Sequence, residues 1–145
     1  MSSGIARYCE AMSRESVEAA KKWTEAYNRR DYATLEELND PDFEMRSVFA
    51  SLDSGGVFQA PDGFPGAYFE SIHAAYESFQ VIPHRWIDGG AAVLAEANAV
   101  WKGKGSGVEG HTPIWVVWWL RAGKMLREET FSEEAPAFEA AGLPR

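Results

Sequence analysis

The second half of the sequence holds four strand-like segments with only short, glycine-containing turns between most of them. They span residues 80–88, 92–104, 111–120 and 125–131, with turns at 88–90 and 121–124 and a glycine-rich stretch at 103–110. Successive strands joined by short turns pair as an antiparallel meander. Such a sheet must bury one apolar face, so the rest of the chain has to cover it.

The first half has helical spacing instead. Apolar residues recur every three or four positions over 16–28, and Asp31 can cap a short second helix that ends at Asp40-Pro41. Residues 43–49 alternate like a strand, and the glycine- and proline-rich stretch 51–66 is long enough to be a flap. A third helix is predicted to carry Tyr68, Ile72, Ala75, Tyr76 and Phe79 on one stripe, and residues 135–141 form a last short helix.

This order predicts an α+β fold: a cone-shaped α+β barrel in which a curved antiparallel sheet wraps around helices. We expect one domain over 16–145, preceded by an N-terminal extension at 1–15. The space between the sheet and the helices is a natural ligand pocket.

Composition narrows the classes of partner. The net charge of −8 argues against nucleic acid and against anionic membrane surfaces, and the apolar run 114–120 is too short to span a bilayer. Cys9 is the single cysteine, and no secretory signal is recognised, so a cytoplasmic location is expected. The three histidines lie in separate segments, so no metal site is expected.

Several local strings resemble one superfamily. They are Ala26-Tyr27-Asn28-Arg29-Arg30-Asp31 at the end of the first helix, Ile87-Asp88-Gly89-Gly90 at a hairpin, and Phe138-Glu139-Ala140-Ala141-Gly142-Leu143 near the end. In this order and spacing they resemble the nuclear-transport-factor-2-like superfamily, also called cystatin-like, and most of all its polyketide-cyclase (SnoaL-like) and ketosteroid-isomerase branch. The resemblance covers about residues 16–143. This fold hosts enzymes of several kinds and also proteins that are not enzymes.

The resemblance also removes some chemistries. In the ketosteroid isomerases the catalytic set is a tyrosine, a base and a protonated aspartate. The resemblance places Trp23 at the position of the tyrosine, Ser47 at that of the base and Trp115 at that of the aspartate, so no base remains. The segment 111–120 holds no carboxylate and no arginine, so the catalytic set of limonene-type epoxide hydrolases is absent. His84 loosely resembles one histidine of scytalone dehydratases.

The family register predicts which side chains face the pocket. It points Val93, Ala95, Ala97, Ala99 and Trp101 inward, where small alanines would leave space and tryptophans would wall it. The predicted ligand-binding residues are Trp23, Tyr27, Met45, Ser47, Phe49, Tyr68, Ala97, Trp101, Trp115, Val117 and Trp119. Core filling without a ligand is the alternative for each of them.

Glu128 is the sharpest catalytic candidate. In the family register Glu128 and Thr130 point inward, and burial would raise the pKa of the Glu128 carboxyl toward neutrality, where it can act as general acid or base. A one-residue register slip would instead expose it to solvent. His84 is the predicted helper, since a neutral imidazole relays protons near pH 7.

The opposite face of 111–120 is also apolar, with Ile114, Val116, Trp118 and Leu120. Because a large exposed apolar patch usually marks an interface, we expect a homodimer through the outer sheet face, formed by Ile114, Val116 and Trp118.

The leading functional hypothesis is a small-molecule enzyme of the isomerase, cyclase or dehydratase type. It would act on a hydrophobic ligand, cyclic ones included, by proton transfer, with no cofactor. The alternatives are a binding module for a small apolar ligand and a purely structural dimerisation domain.

Overall fold

A computed structural model of the chain describes residues 3–49 and 56–144, with side chains from residue 15 onward. The helices are α1 (Ser3–Arg29), α2 (Tyr32–Leu38), α3 (Tyr68–Ala75) and α4 (Glu134–Ala141). The strands are β1 (Asn39–Arg46), β2 (Val57–Gln59), β3 (Tyr76–Asp88), β4 (Ala92–Gly103), β5 (Glu109–Arg121) and β6 (Lys124–Phe131). Helix α1 begins at Ser3, so it includes most of the stretch that we predicted as an extension before residue 16.

The six strands form one curved, open sheet in the order β2-β1-β6-β5-β4-β3. The meander β3-β4-β5-β6 is antiparallel, as its short turns require, but β1 lies parallel to β6, which makes the sheet mixed. The fold class is therefore the cone-shaped α+β arrangement. Strand β6 lies between β1 and β5, and this position sets Glu128 opposite both Met45 and Trp118.

Each side of the sheet packs against an apolar cluster, but the outer side is covered only in part. On the helix-facing side, α1, α2 and α3 pack their apolar stripes against β1, β3, β4 and β5. On the outer side, α4 covers only one end of the sheet, where Ala137 and Phe138 pack with Leu94 and Val117. The rest of the outer side is left open in the described part of the chain, with Ile82 and Val100 exposed.

The predicted third helix is too long. It ends at Ala75, and Tyr76 and Phe79 belong to β3, where Phe79 pairs with Trp101 of β4. The spacing of Tyr68, Ile72, Tyr76 and Phe79 fits a helix, but pairing along the whole of β4 decides for a strand.

The predicted flap is also corrected over its described part. From Val57 the chain forms β2 and then a short π-helical segment at Gly63–Ala67, and Phe58 and Phe64 are buried in the core rather than held over a pocket. The other part of the predicted flap, residues 51–55, lies outside the described residues.

The predicted register of β5 is wrong by one residue. Ile114, Val116 and Trp118 face the helices and are at most 2% exposed, whereas Trp115, Val117 and Trp119 face outward. The cause is the pairing of β4 with β5, which sets odd positions opposite even ones, as in Ala97 with Ile114. Because paired residues share a face, the inward alanines of β4 force the even positions of β5 inward.

Among the described residues, no helix combines the length and the apolar character that a membrane span needs.

Candidate functional site

A narrow cavity lies between the sheet and the first and third helices. Its volume is about 10 Å³. That volume is about the space that one water molecule needs, so a larger ligand must displace side chains. The lining residues are Trp23, Thr24, Tyr27, Ser47, Phe49, Tyr68, Phe79, Val81, Ile114, Val116, Trp118, Glu128 and Thr130.

Among the described residues, Glu128 supplies the only carboxyl group of this lining. Its side chain is 2% exposed, and no described residue forms a hydrogen bond with its Oε1 atom. Burial raises the pKa of Glu128 well above its ordinary value, and the negative charge of the neighbouring Glu129 raises it further. The carboxyl therefore keeps its proton at pH values where an exposed glutamate is ionised.

Two tyrosine hydroxyls meet on the helix side of the cavity. The hydroxyl of Tyr27 on α1 lies 2.5 Å from that of Tyr68 on α3, and both side chains are buried. Burial raises the pKa of both phenols, and the nearby charge of Glu128 adds to the increase. A hydrogen bond with Ser47 lowers the pKa of Tyr68 in part. Both tyrosines therefore stay neutral donors at ordinary pH.

The indole N–H of Trp118 is a second unsatisfied group on the cavity wall. Trp118 is 1% exposed, its Nε1 atom has no hydrogen-bond partner in the described structure, and its ring stacks on Trp86 at 5.6 Å. The indole of Trp23 differs, because its Nε1 donates to Oδ1 of Asn39 at 2.8 Å. Trp118 and Glu128 are direct cross-strand partners, so residues at paired positions supply one unpaired donor and one unpaired acceptor to the cavity lining.

Arg30 holds the tyrosine side of the cavity in place. Its guanidinium donates to the carbonyl oxygens of Tyr27 and Phe79 at 2.8 and 2.7 Å, and to Nε2 of His73 at 3.1 Å. It also lies over the Phe69 ring at 4.6 Å. One side chain thus ties α1 to α3 and β3.

Six predicted site residues meet at this cavity: Trp23, Tyr27, Ser47, Phe49, Tyr68 and Glu128. The inward direction of Glu128 is what the family register predicted, and its catalytic role stays a prediction. Met45 and Ala97 are buried on the same side of the sheet but do not line the cavity.

His84 is not near Glu128. It is the unpaired residue of an irregularity in β3 between Pro83 and Arg85, its side chain is exposed, and it is absent from the cavity lining. The extra residue also changes which face is inward, so Val81 before it and Trp86 after it both point to the helices. The predicted acid–base pair of Glu128 and His84 is therefore wrong.

Four predicted ligand-binding residues lie elsewhere. Trp115, Val117 and Trp119 pack on the outer side with α4, as the register correction requires. Trp101 is half-buried at one end of the sheet, where its Nε1 donates to Oγ1 of Thr112 at 3.1 Å.

The sequence argument missed Thr24, Phe79 and Val81, and placed Ile114, Val116 and Trp118 on the wrong face. Thr24 lies four residues after Ala20 and three before Tyr27, so the helical spacing was a usable signal that its polar character hid. Phe79 and Val81 alternate correctly once β3 begins at Tyr76.

The described residues contain no cluster of three or more histidine, cysteine, aspartate or glutamate side chains that could hold a metal ion. The described lining of the cavity offers one carboxyl, two phenols and smaller hydroxyls.

Comparison with known proteins places this geometry in a family. Three solved structures share the fold: an NTF2-like protein of unknown function from Burkholderia pseudomallei, a ketosteroid-isomerase-like protein from Catenulispora acidiphila in complex with trimethylamine, and a protein assigned as a SnoaL-like polyketide cyclase from Jannaschia. Their TM-scores are 0.73, 0.68 and 0.65, at 16%, 17% and 14% identity. The matches cover 86%, 88% and 91% of this chain and 95%, 94% and 94% of those chains.

Comparison with curated proteins finds no match. The sequence model of the SnoaL-like domain matches residues 20–128, which include the end of α1, Glu128 and every described cavity residue except Thr130. Since that match spans most of the chain, this protein belongs to the SnoaL-like domain family.

Proposed function

We propose that this chain is a small-molecule enzyme in which Glu128 exchanges a proton with an apolar, cyclic ligand bound in the cavity. The observation that carries the proposal is the buried Glu128 carboxyl with an unpaired oxygen in an aromatic cavity. Leaving a buried polar atom unpaired destabilises a fold by about 1–3 kcal/mol, so such a group calls for an explanation, and a role toward a ligand supplies one.

The electrostatics support general acid–base chemistry. Because burial raises the pKa of Glu128, its protonated form is a proton donor and its ionised form a stronger base than an exposed carboxylate. The hydroxyls of Tyr27 and Tyr68 supply the second polar group that His84 was predicted to supply; since one of them donates to the other, the pair has one further hydroxyl hydrogen to donate to a polar atom of the ligand. No cationic side chain lines the cavity among the described residues, so an anionic ligand is disfavoured.

The reaction class can be tested without knowing the physiological substrate. The ionised Glu128 carboxylate would take a proton from the carbon beside the carbonyl of bound cyclohexanone, leaving the enol or enolate. In D₂O the proton on the carboxyl would exchange for a deuteron from solvent, and the carboxyl would return that deuteron to the carbon and restore the ketone, so NMR would detect deuterium incorporation.

We expect Glu128→Gln to reduce this exchange by about 10²-fold or more, which is the usual contribution of a positioned acid or base. Glu109→Gln is the matched control, because Glu109 is an exposed carboxylate on β5 outside the cavity. Equal exchange by the wild type and Glu128→Gln, or no exchange above the buffer rate, would remove the catalytic proposal.

Binding without turnover is the second candidate. It is favoured by one observation: the described lining contains no histidine, no lysine and no second carboxyl to complete an acid–base pair. Saturable binding of cyclohexanone with no Glu128-dependent exchange would select this candidate.

We also propose a homodimer whose interface is the open part of the outer sheet face, in place of the residues predicted from the sequence. Ile114, Val116 and Trp118 cannot form it, because they are buried inside the chain. The outer face instead exposes Ile82 and Val100 at 46% and 44%. Sedimentation of wild type and the Val100→Glu variant tests the proposal: a dimer that Val100→Glu weakens supports it, and a monomeric wild type refutes it.

A further inference from the structure

Two neighbouring strands each place one unsatisfied polar group in the cavity lining, one a donor and one an acceptor. The donor is Nε1–H of Trp118, and the acceptor is Oε1 of Glu128; neither has a hydrogen-bond partner in the described structure. Both side chains are at most 2% exposed. Bulk solvent therefore does not reach either group, and a partner for each has to come from inside the cavity.

The pairing of their strands sets the Cβ–Cβ distance of the two residues. Trp118 on β5 and Glu128 on β6 are direct partners in the antiparallel register, and direct partners have Cβ atoms about 4.5–5.5 Å apart. The Trp118 ring is held by stacking on Trp86 and by an edge contact with Trp23 at 6.0 Å. The donor and the acceptor thus come from paired positions of two neighbouring strands in the cavity lining.

The surroundings restrict the charge of a matching ligand. The described lining offers no positive side chain to an anion, and the carboxyl that could pair with a cation is held toward its neutral, protonated form by burial. Aromatic and aliphatic side chains, including Phe49, Phe79 and Ile114, form most of the remaining wall. An uncharged ligand with an apolar body fits these conditions best.

We propose that the cavity selects an uncharged cyclic ligand with an adjacent acceptor and donor, of the lactam or cyclic-amide class, bound between Trp118 and Glu128. The ligand carbonyl accepts from the indole N–H of Trp118, and the ligand N–H donates to Oε1 of Glu128. This inference rests on the proposed function, since it names the ligand class of the same cavity. It adds Trp118 as a specificity-determining residue.

The test uses 2-piperidone, a six-membered lactam, as the probe. Cyclohexanone matches its ring but lacks the N–H, and 1-methyl-2-piperidone replaces that hydrogen with a methyl group. Piperidine and cyclohexanecarboxylate test the cationic and anionic alternatives. The readout is the indole N–H region of a ¹⁵N–¹H correlation spectrum, where the six tryptophans give six signals and Trp118→Phe identifies that of residue 118.

We expect 2-piperidone to shift the Trp118 signal and to bind about 2- to 12-fold more tightly than cyclohexanone, which corresponds to one net neutral hydrogen bond. Trp118→Phe keeps an aromatic ring but removes the donor, so it should weaken 2-piperidone by a similar factor. Trp115→Phe is the matched control, because Trp115 also has an unpaired indole N–H but on the outer side under α4. It should leave the affinity unchanged.

The outcomes separate the two proposals. Equal binding of 2-piperidone, its N-methyl derivative and cyclohexanone would overturn the lactam inference and leave the ligand-binding proposal standing. Tighter binding of piperidine or cyclohexanecarboxylate would overturn it as well. If no probe shifts any signal of a cavity residue, both proposals are refuted. The comparison among probes needs only the wild type, so it holds even if Trp118→Phe does not fold.

Discussion

Replacement of Glu128 by glutamine should change how the stability of the protein depends on pH. In the folded protein, burial raises the pKa of Glu128 well above the value of about 4.3 that a glutamate has in an unfolded chain. Between these two pKa values the unfolded chain has lost the proton and the folded protein still holds it. The folded state then binds more protons, so stability falls as the pH rises.

The size of this effect follows from the linkage relation. One extra proton in the folded state lowers the free energy of unfolding by about 1.4 kcal/mol per pH unit at 25 °C. The loss begins above the unfolded pKa and ends at the raised folded pKa. For a domain near this size it corresponds to about 3–6 °C in Tm per pH unit. Glutamine does not titrate, so the Glu128→Gln variant lacks this slope.

The assay is urea unfolding of both proteins at closely spaced pH values from 5 to 8. The difference between their free energies of unfolding should move in favour of Glu128→Gln as the pH rises. Carboxyls whose pKa is lowered in the folded state, such as those of Asp40 and Glu44, titrate below this range and are common to both proteins. Their contribution therefore cancels in the difference.

The absolute stability of the variant is a weaker test, because the new amide also needs hydrogen-bond partners in the cavity. The slope is decisive. A constant difference from pH 5 to 8 would show that Glu128 ionises at its ordinary pKa, and the argument from burial would then be wrong. Glu109→Gln, an exposed control, should show a constant difference.

Two further predictions concern stability. Trp118→Ala should destabilise the fold by about 3–5 kcal/mol, because it opens a large cavity beside Trp23 and Trp86. Trp119→Ala should cost less, since Trp119 is half-buried on the outer side under the guanidinium of Arg127. Equal losses of the free energy of unfolding in urea would contradict the corrected register of β5. Arg30→Lys should lower the free energy of unfolding by about 1.5–3 kcal/mol, since lysine cannot reproduce the forked donation to the carbonyl oxygens of Tyr27 and Phe79. The left-handed backbone at this position (φ 58°) is equally costly for both residues. An unchanged denaturation midpoint would show that the guanidinium does not tie α1 to β3.

The sequence carried most of the fold because its periodicities are local. Helical spacing located α1 and α2, and alternation with short turns located β3 to β6 within a few residues. The errors at α3 and at β2 lie where local spacing and tertiary pairing compete. Tyr76 and Phe79 fit a helical stripe, but β4 is long enough to pair with them as a strand.

Only part of the candidate site could be predicted from the sequence. Alternation alone requires that Glu128 and Thr130 share a face, and the family register pointed that face inward. His84 could not be placed, because an irregularity in pairing is a property of two strands and leaves no mark in one of them. The meeting of Tyr27 with Tyr68 joins residues 41 positions apart, which no local pattern specifies.

By itself, the sequence determined that β5 has two faces, one with Ile114, Val116 and Trp118 and the other with Trp115, Val117 and Trp119. Both faces are apolar, so hydrophobicity could not decide which one lines the cavity. Only the tertiary structure decided it, through the pairing of Ala97 with Ile114 and the packing of α4 on the outer side. That choice buried Trp118 beside Glu128 and so created the donor–acceptor pair of the cavity.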